Sequence, residues 1–186
     1  MSDTDIINTA QQDFNCISKK RRILSLVLYI VITAVLTQID QITKYIAEQR
    51  LYNKPDFVII KDVLHLTYLR NNGSAFGMFS GKINAFLVLT VIMICLITYV
   101  VLKTPLIRNY IPVYITCILL AAGAIGNFID RVRFGYVRDF IYFKIINFPV
   151  FNVADCYVTV SVIIFIILIL FVYKNEDDFA FLSLKK

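Results

Sequence analysis

The chain has 186 residues, of which 59% are hydrophobic and 17% charged, and its mean hydropathy is +0.72. A soluble domain of this length rarely carries so little charge, so the composition excludes an ordinary soluble fold and predicts an integral membrane protein. The formal net charge of +6 does not indicate a nucleic-acid partner here, because basic residues beside membrane spans face anionic lipid headgroups.

The N-terminal 22 residues are polar and end in a basic cluster, Lys19 to Arg22. Clustered positive charge before a first span predicts a cytoplasmic N-terminus. We therefore predict a polar, loosely attached cytoplasmic extension over residues 1–22. The apolar run that follows shows no small-residue cleavage pattern, so we interpret it as a retained span and not as a removable signal segment.

Four uncharged apolar runs are each long enough to cross the hydrocarbon layer as a helix, which takes about 17–25 residues. They predict spans at about 23–44, 83–102, 111–130 and 156–173. Helices are expected because unpaired backbone groups are too costly in lipid for other open structures. Two loops, 45–82 and 131–155, then emerge together outside the cell membrane, and a tail, 174–186, lies in the cytoplasm.

The two outer loops have different patterns. From Leu64 to Tyr68 apolar and polar residues alternate, which predicts a half-buried strand with His65 on its exposed face. The second loop carries seven aromatic residues between Phe134 and Phe151, which predicts a segment lying at the membrane interface. The predicted fold class is an all-α membrane protein, a bundle of four transmembrane helices with a small extracytoplasmic β-sheet and an interfacial segment.

Alternating spans bring most of the polar residues that stand out in this apolar chain to one membrane face. They are Asp40, Lys44, Asn71, Asn127, Asp130, Arg131, Asp139, Asn152 and Asp155. Acidic residues at the edge of a bilayer are costly and usually functional. This distribution predicts a polar site near one surface of the membrane.

Asp139 and Asp155 are the candidates for chemistry. Asp139 lies among apolar and aromatic neighbours, and Asp155 opens the fourth span. Two carboxyl groups brought together share a proton, as in aspartic proteases, so that one activates water while the other hydrogen-bonds the scissile carbonyl. Our hypothesis is that Asp155 is the more readily ionised member, because the N-terminus of a helix favours negative charge.

Spacing alone leaves purely structural roles open. Asp155 would then be only a helix-start residue, and Asp139 would pair with Arg133 or Arg138. Asp130 and Arg131, which share a helix face with Asn127, would form an ion-pair network at the end of the third span.

Five motifs occur in order along the chain: DQITK from Asp40, NNGSAF from Asn71, GNFIDR from Gly126, GYVRDF from Gly135 and FPVFNVAD from Phe148. With these motifs the sequence resembles the lipoprotein signal peptidases, the signal peptidase II family. The resemblance extends from about Ile23 to Tyr173. Three features depart from the family pattern: Arg138, at a usually apolar position, Ser74, where alanine is common, and a polar extension before the first span that is longer than usual.

The resemblance implies an aspartic endopeptidase of the bacterial inner membrane. Its implied substrates are diacylglyceryl-modified prolipoproteins, cut just before the lipidated cysteine, and its implied catalytic pair is Asp139 and Asp155. The implied substrate-binding or supporting residues are Asp40, Lys44, Asn71, Gly73, Asn127, Asp130, Arg131, Asn152 and Ala154. Lys44 is expected to hold a lipid headgroup, to brace Asp40, or to be an exposed cation with no specific role.

We predict no cofactor, no metal, no disulfide and a monomer with membrane lipids around it. The four cysteines, Cys16, Cys95, Cys117 and Cys156, show neither metal-ligand nor paired spacing. Two other functions stay open on the residues alone. A proton-coupled transporter would place its acids near the midplane, commonly in repeated halves. A non-catalytic membrane scaffold would use the polar residues only to lock its outer loops.

Overall fold

The computed structural model describes residues 3–73 and 83–174 of the chain. Residues 74–82 of the predicted first outer loop, residues 175–186 of the predicted tail and the first two residues lie outside this range, and so does Ser74. The helices are α1 (Asp3–Leu51), α2 (Ile83–Lys103), α3 (Ile111–Phe134) and α4 (Val153–Ile167), which continues as a π-helical turn, Leu168–Val172. The strands are β1 (Phe57–Ile60), β2 (Leu64–Asn71) and β3 (Val137–Phe143).

Within the described residues, four helical stretches are long and apolar enough to cross a membrane. They are Lys19–Leu51, Asn84–Lys103, Arg108–Phe134 and Val153–Val172. Helix α1 starts at Asp3, so much of the extension predicted to be loosely attached is helical. At its other end α1 runs about two turns past Lys44. Ala47 and Leu51 in these turns are buried against the sheet. This packing explains why the helix continues beyond the predicted end of the first span at residue 44.

Local sequence signals explain the ends of the site-bearing helices. Helix α3 starts with Pro112 in its first turn, and it ends at Gly135, which adopts φ +79° and donates its N–H to the carbonyl of Arg131. Helix α4 starts with a reciprocal capping box. The side chain of Asn152 accepts the Asp155 N–H, and the carboxylate of Asp155 accepts the Asn152 N–H, at 3.1 and 3.0 Å.

The sheet is antiparallel with strand order β1-β2-β3. The third strand comes from the aromatic second loop, where the sequence analysis predicts an interfacial segment and no strand. Leu69 of β2 is opposite Asp139 of β3, and Asn71 is opposite Val137. After β3 the chain forms a short 3-10 turn, Lys144–Ile146, in which Ile145 and Ile146 are exposed.

The exposed position predicted for His65 is wrong. His65 is 5% exposed and is the most buried residue of strand β2. Tyr142 lies opposite it in the register and meets its ring edge-on, with the ring centroids 6.4 Å apart. The alternation in the first loop could not reveal this, because the ring that covers His65 belongs to Tyr142 of β3, a strand distant in the sequence.

Two clusters of buried apolar side chains hold the molecule together. The larger lies between α1, α2 and α3 and includes Tyr29, Val101 and Ala121. The smaller joins α1 to the sheet through Ala47, Leu51 and Phe140. Because Phe140 follows Asp139 directly, this second cluster fixes strand β3 against the end of the helix bundle where the polar residues gather.

Candidate active site

Polar side chains from five elements meet at one end of the bundle. We call them the polar cluster: Asp40, Gln41, Lys44 and Glu48 of α1, Asn71 of β2, Asn127, Asp130 and Arg131 of α3, Arg138 and Asp139 of β3, and Asn152 and Asp155 at the start of α4. All the predicted site residues with polar side chains belong to this cluster.

Asp139 is 1% exposed and accepts hydrogen bonds from two amide side chains. The Asn71 Nδ2 lies 2.8 Å from its Oδ2, and the Asn152 Nδ2 lies 2.6 Å from its Oδ1. Burial, aided by the negative charge of Asp155, raises the pKa of Asp139 from 3.8 to about 6, although both amides and Lys44 act in the opposite direction. This carboxyl group therefore holds a proton more readily than an ordinary aspartate.

Asp155 has a more open environment. It is half-buried, and it occupies the third position of α4, where the helix N-terminus favours negative charge. Its Oδ1 accepts a hydrogen bond of 2.8 Å from the Asn127 Nδ2, while its Oδ2 accepts the backbone N–H of Asn152. Each oxygen of this carboxyl group is thus held by one N–H donor.

Two asparagine side chains connect the two carboxyl groups. The Asn152 Nδ2 donates both to Asp139 and, at 3.1 Å, to the Oδ1 of Asn127, whose own Nδ2 donates to Asp155. The hydrogen-bonded bridge therefore runs Asp139–Asn152–Asn127–Asp155 and orients both carboxyl groups. Three elements, β3, α4 and α3, must be docked before it can form.

Lys44 stabilises this bridge by donating a hydrogen bond to Asn127. It is fully buried, and its Nζ lies 2.8 Å from the Asn127 Oδ1, 2.9 Å from Asp40 and 3.7 Å from Asp130. A buried ammonium group cannot bind a lipid headgroup, so the structure favours the second expectation, that Lys44 braces Asp40. The Oδ1 of Asp40 in turn accepts the N–H of Ala154 at 2.9 Å and holds the start of α4 against α1.

The side chain of Arg138 points away from Asp139. Its backbone N–H and guanidinium group both bind Asp130, with Nη2 and Nε at 2.8 and 3.1 Å. Further bonds reach Gln41 and Glu48, both on α1. The open alternatives, in which Asp139 pairs with an arginine and Asp130 with Arg131, are thus replaced by a different pairing. The positive charge next to Asp139 is balanced by Asp130.

The other predicted residues occupy the rim of the cluster. Arg131 is half-buried, donates to the Asn127 carbonyl at 3.4 Å, and interacts electrostatically with both acids of the bridge. The backbone N–H of Gly73 donates to the Asn71 Oδ1 at 3.1 Å, which orients the amide of Asn71 towards Asp139.

Sequence reasoning missed Gln41 and Glu48, and it considered Arg138 only as a departure from the family pattern and as one alternative partner of Asp139. A signal was present in helix α1, because Gln41, Lys44 and Glu48 are spaced i, i+3 and i+7 and share one helix face. Among the described residues, no group of three or more His, Cys, Asp or Glu side chains is arranged to hold a metal ion.

Comparison with known sequences identifies the family of this chain. Residues 32–171 match the family model described as signal peptidase (SPase) II. A lipoprotein signal peptidase of Caldanaerobacter subterraneus subsp. tengcongensis is 46% identical over 143 residues, 76% of this chain and 95% of that protein. One of Enterococcus faecalis is 44% identical over 146 residues, 78% of this chain and 89% of that protein.

Solved structures show the same fold. Two structures described as a bacterial membrane enzyme, determined by the in meso method at 2.3 and 1.9 Å, each have a TM-score of 0.68 and 36% identity. They match 80% and 78% of this chain and 92% and 94% of their own chains. Four membrane-length helices with a polar cluster at one end thus define a multi-pass membrane enzyme. The chain belongs to the signal peptidase II family and is a bacterial membrane protease that processes lipoproteins.

Proposed function

We propose that this protein is an aspartic endopeptidase with Asp139 and Asp155 as its catalytic pair. The observation that carries the proposal is the bridge through Asn152 and Asn127, which links two carboxyl groups in unlike surroundings. Asp139 is buried with a raised pKa, whereas Asp155 is half-buried at the N-terminus of α4, where negative charge is favoured. Such a difference assigns the roles of acid and base.

In the proposed reaction, the carboxylate of Asp155 takes a proton from water, and the water oxygen bonds to the scissile carbonyl carbon. Protonated Asp139 hydrogen-bonds the carbonyl oxygen as negative charge develops there. The tetrahedral intermediate collapses when the carbon–nitrogen bond breaks and the amine nitrogen takes up a proton from the pair. Arg131, Lys44 and the asparagines do not react, but they hold the charges in place.

The proposed substrates are prolipoproteins that carry diacylglycerol on a cysteine, and the cut falls just before that cysteine. A lipid anchor holds the peptide bond at the membrane surface, the depth at which the polar cluster lies when α1, α3 and α4 span the bilayer. Binding the signal helix against the spans would orient the bond. We further propose that both termini are cytoplasmic, that the site faces outward from the inner membrane, and that the protein acts as a monomer among membrane lipids.

The test is cleavage of a diacylglyceryl-modified precursor by the purified full-length protein. Asp139→Asn and Asp155→Asn are each expected to reduce kcat/KM by about 10³-fold or more, because each removes an essential proton-transfer group. Asp62→Asn is the matched control, since this exposed carboxylate pairs with Lys144 at 3.6 Å and its loss should leave the rate unchanged.

Full activity in either aspartate variant would refute the two-acid mechanism. Equal cleavage of a precursor that lacks the lipid would overturn the proposed substrate class. Thermal unfolding of each variant in detergent separates a chemical defect from a folding defect.

A further inference from the structure

A groove of about 770 Å³ lies between the end of α1 and the sheet, apart from the bridge that joins the two acids. One wall is a single face of α1, on which Thr43, Ile46, Ala47, Arg50 and Leu51 are spaced i, i+3, i+4, i+7 and i+8. The opposite wall is apolar and is formed by Phe57, Leu66 and Phe140.

The groove and the polar cluster lie on opposite sides of strand β3. Successive side chains of a strand point to opposite faces, so Phe140 enters the groove while Asp139 faces the bridge of asparagines. The proposed reaction uses none of the residues that line the groove. Its occupant therefore need not be the peptide that is cut.

Charge is unevenly distributed along the groove. The end nearer the bilayer, around Thr43 and Ile46, has no charged lining residue, whereas Arg50 and Lys54 are exposed at the far end. Thr43 and Arg50 are separated by about 10 Å along the helix axis. Asp56 also lines this far end, and its carboxylate lies 3.4 Å from the Nδ1 of His65.

An apolar slot that leads from the bilayer to two cations matches the shape and charge of one kind of molecule. We propose that the groove binds an anionic phospholipid of the adjacent leaflet, with an acyl chain along Ile46, Ala47 and Phe140 and the phosphate between Arg50 and Lys54. Burial of methylene groups and attraction of the phosphate both favour this occupant. A zwitterionic phospholipid carries the same phosphate together with an ammonium group that Arg50 and Lys54 repel, so it should bind more weakly.

A bound lipid would fill the gap between β1 and α1 and press on Phe140 from the side opposite Asp139. It would act as a structural lipid, a role independent of the proposed peptidase chemistry. The site can therefore be tested by binding alone, whether or not the protein cleaves a precursor.

The experiment measures lipid binding to the full-length protein in detergent by native mass spectrometry. Phosphatidylglycerol and phosphatidylcholine with identical acyl chains are titrated separately, with inorganic phosphate as a third probe. We expect phosphatidylglycerol to bind about 10- to 30-fold more tightly than phosphatidylcholine, because two basic residues attract a headgroup with net negative charge and gain little from a zwitterionic one. Inorganic phosphate should not bind.

Arg50→Gln combined with Lys54→Gln should abolish this preference, and both side chains are exposed, so the fold should tolerate the change. The matched control is Lys61→Gln with Lys144→Gln, which removes the same charge from the same end of the molecule outside the groove and should keep the preference. Equal affinity for the two lipids in the unaltered protein would overturn the proposal, and so would an unchanged preference in the Arg50 and Lys54 variant or competition by inorganic phosphate.

Discussion

At the scale of single residues, two aspartates with the same chemistry have acquired different properties from their surroundings. Asp139 is enclosed by strand β3 and the amides of Asn71 and Asn152. Asp155 is held by Asn127 at the open start of a helix. Burying Asp139 carries an energetic cost at neutral pH, because its charged form is desolvated.

This cost has a measurable pH dependence. A carboxyl group whose pKa is raised from 3.8 to about 6 by folding favours the folded state below pH 4, and this contribution is lost as the pH rises through 6. Asp139→Asn removes the titration. We therefore expect the variant to gain stability relative to the unaltered protein as pH rises from 4 to 7, by up to about 3 kcal/mol.

The measurement is unfolding of both proteins in detergent micelles between pH 4 and pH 8. Asp62→Asn is again the control, because a carboxylate this exposed should change the free energy of unfolding by less than about 0.5 kcal/mol at any pH. A stability difference for Asp139→Asn that stays constant across this range would show that the carboxyl group is not protonated by burial.

At the scale of elements, Arg138 ties strand β3 to two helices. It bonds to Asp130 of α3 and to Gln41 and Glu48 of α1, and it is 4% exposed. A buried carboxylate that loses its cation is left uncompensated, and Lys44, at 3.7 Å from Asp130, cannot replace a guanidinium fork.

We accordingly expect Arg138→Gln to lower the free energy of unfolding by about 3–5 kcal/mol, the usual effect of breaking a buried ion pair. Arg138→Lys should lie between this variant and the unaltered protein. Arg133→Gln is the control, because this exposed arginine lies at the end of α3, five residues before Arg138. It should change the free energy of unfolding by less than about 0.5 kcal/mol. The measurement is chemical denaturation of the three variants. Equally small losses in the free energy of unfolding in all three would contradict this role of Arg138.

Helices α3 and α4 approach each other closely at Gly123. A Cβ atom there would lie 2.5 Å from the carbonyl oxygen of Ala154 and 2.7 Å from Val158. Gly123→Ala should therefore displace the start of α4, with Asn152 and Asp155, and reduce cleavage by at least about 10-fold, with a stability cost of about 1–3 kcal/mol.

Gly135→Ala is the comparison for this prediction. A Cβ at Gly135 would meet nothing within 4 Å, but its φ of +79° is strained for alanine, so we expect a cost of about 1 kcal/mol and undiminished activity of the folded protein. If the Gly123→Ala variant cleaved the precursor as fast as the Gly135→Ala variant, the close approach of α3 and α4 would not matter for activity.

At the scale of the whole molecule, four spans place the sheet and the polar cluster on one membrane face and the α2–α3 connection on the other. With a cytoplasmic N-terminus, the sheet is outside. In a cysteine-free background, Asp62→Cys should react with a membrane-impermeant maleimide in intact cells, whereas Arg108→Cys should react only after permeabilisation. The reverse pattern would invert the proposed orientation.

Much of this arrangement could be predicted from local sequence. The uncharged runs give the four spans, alternation gives strand β2, and Asn152 with Asp155 marks the start of α4, since each signal lies within a few consecutive residues. The burial of Lys44 and of His65 could not be predicted, because the groups that cover them are distant in the chain. The same reason explains why the pairing of Arg138 with Asp130 could not be predicted.

The sequence by itself determined that the protein spans a membrane four times and that its acids gather at one face, because hydrophobicity and span counting are additive along the chain. Only the tertiary structure decided which partner each charge received. It turned Lys44 inward onto Asp40 and Asn127 and Arg138 away from Asp139, and it separated the two carboxyl groups into a buried and an open environment. Desolvation and hydrogen bonding depend on neighbours in space, and these exist only once α1, α3, α4 and β3 have packed together.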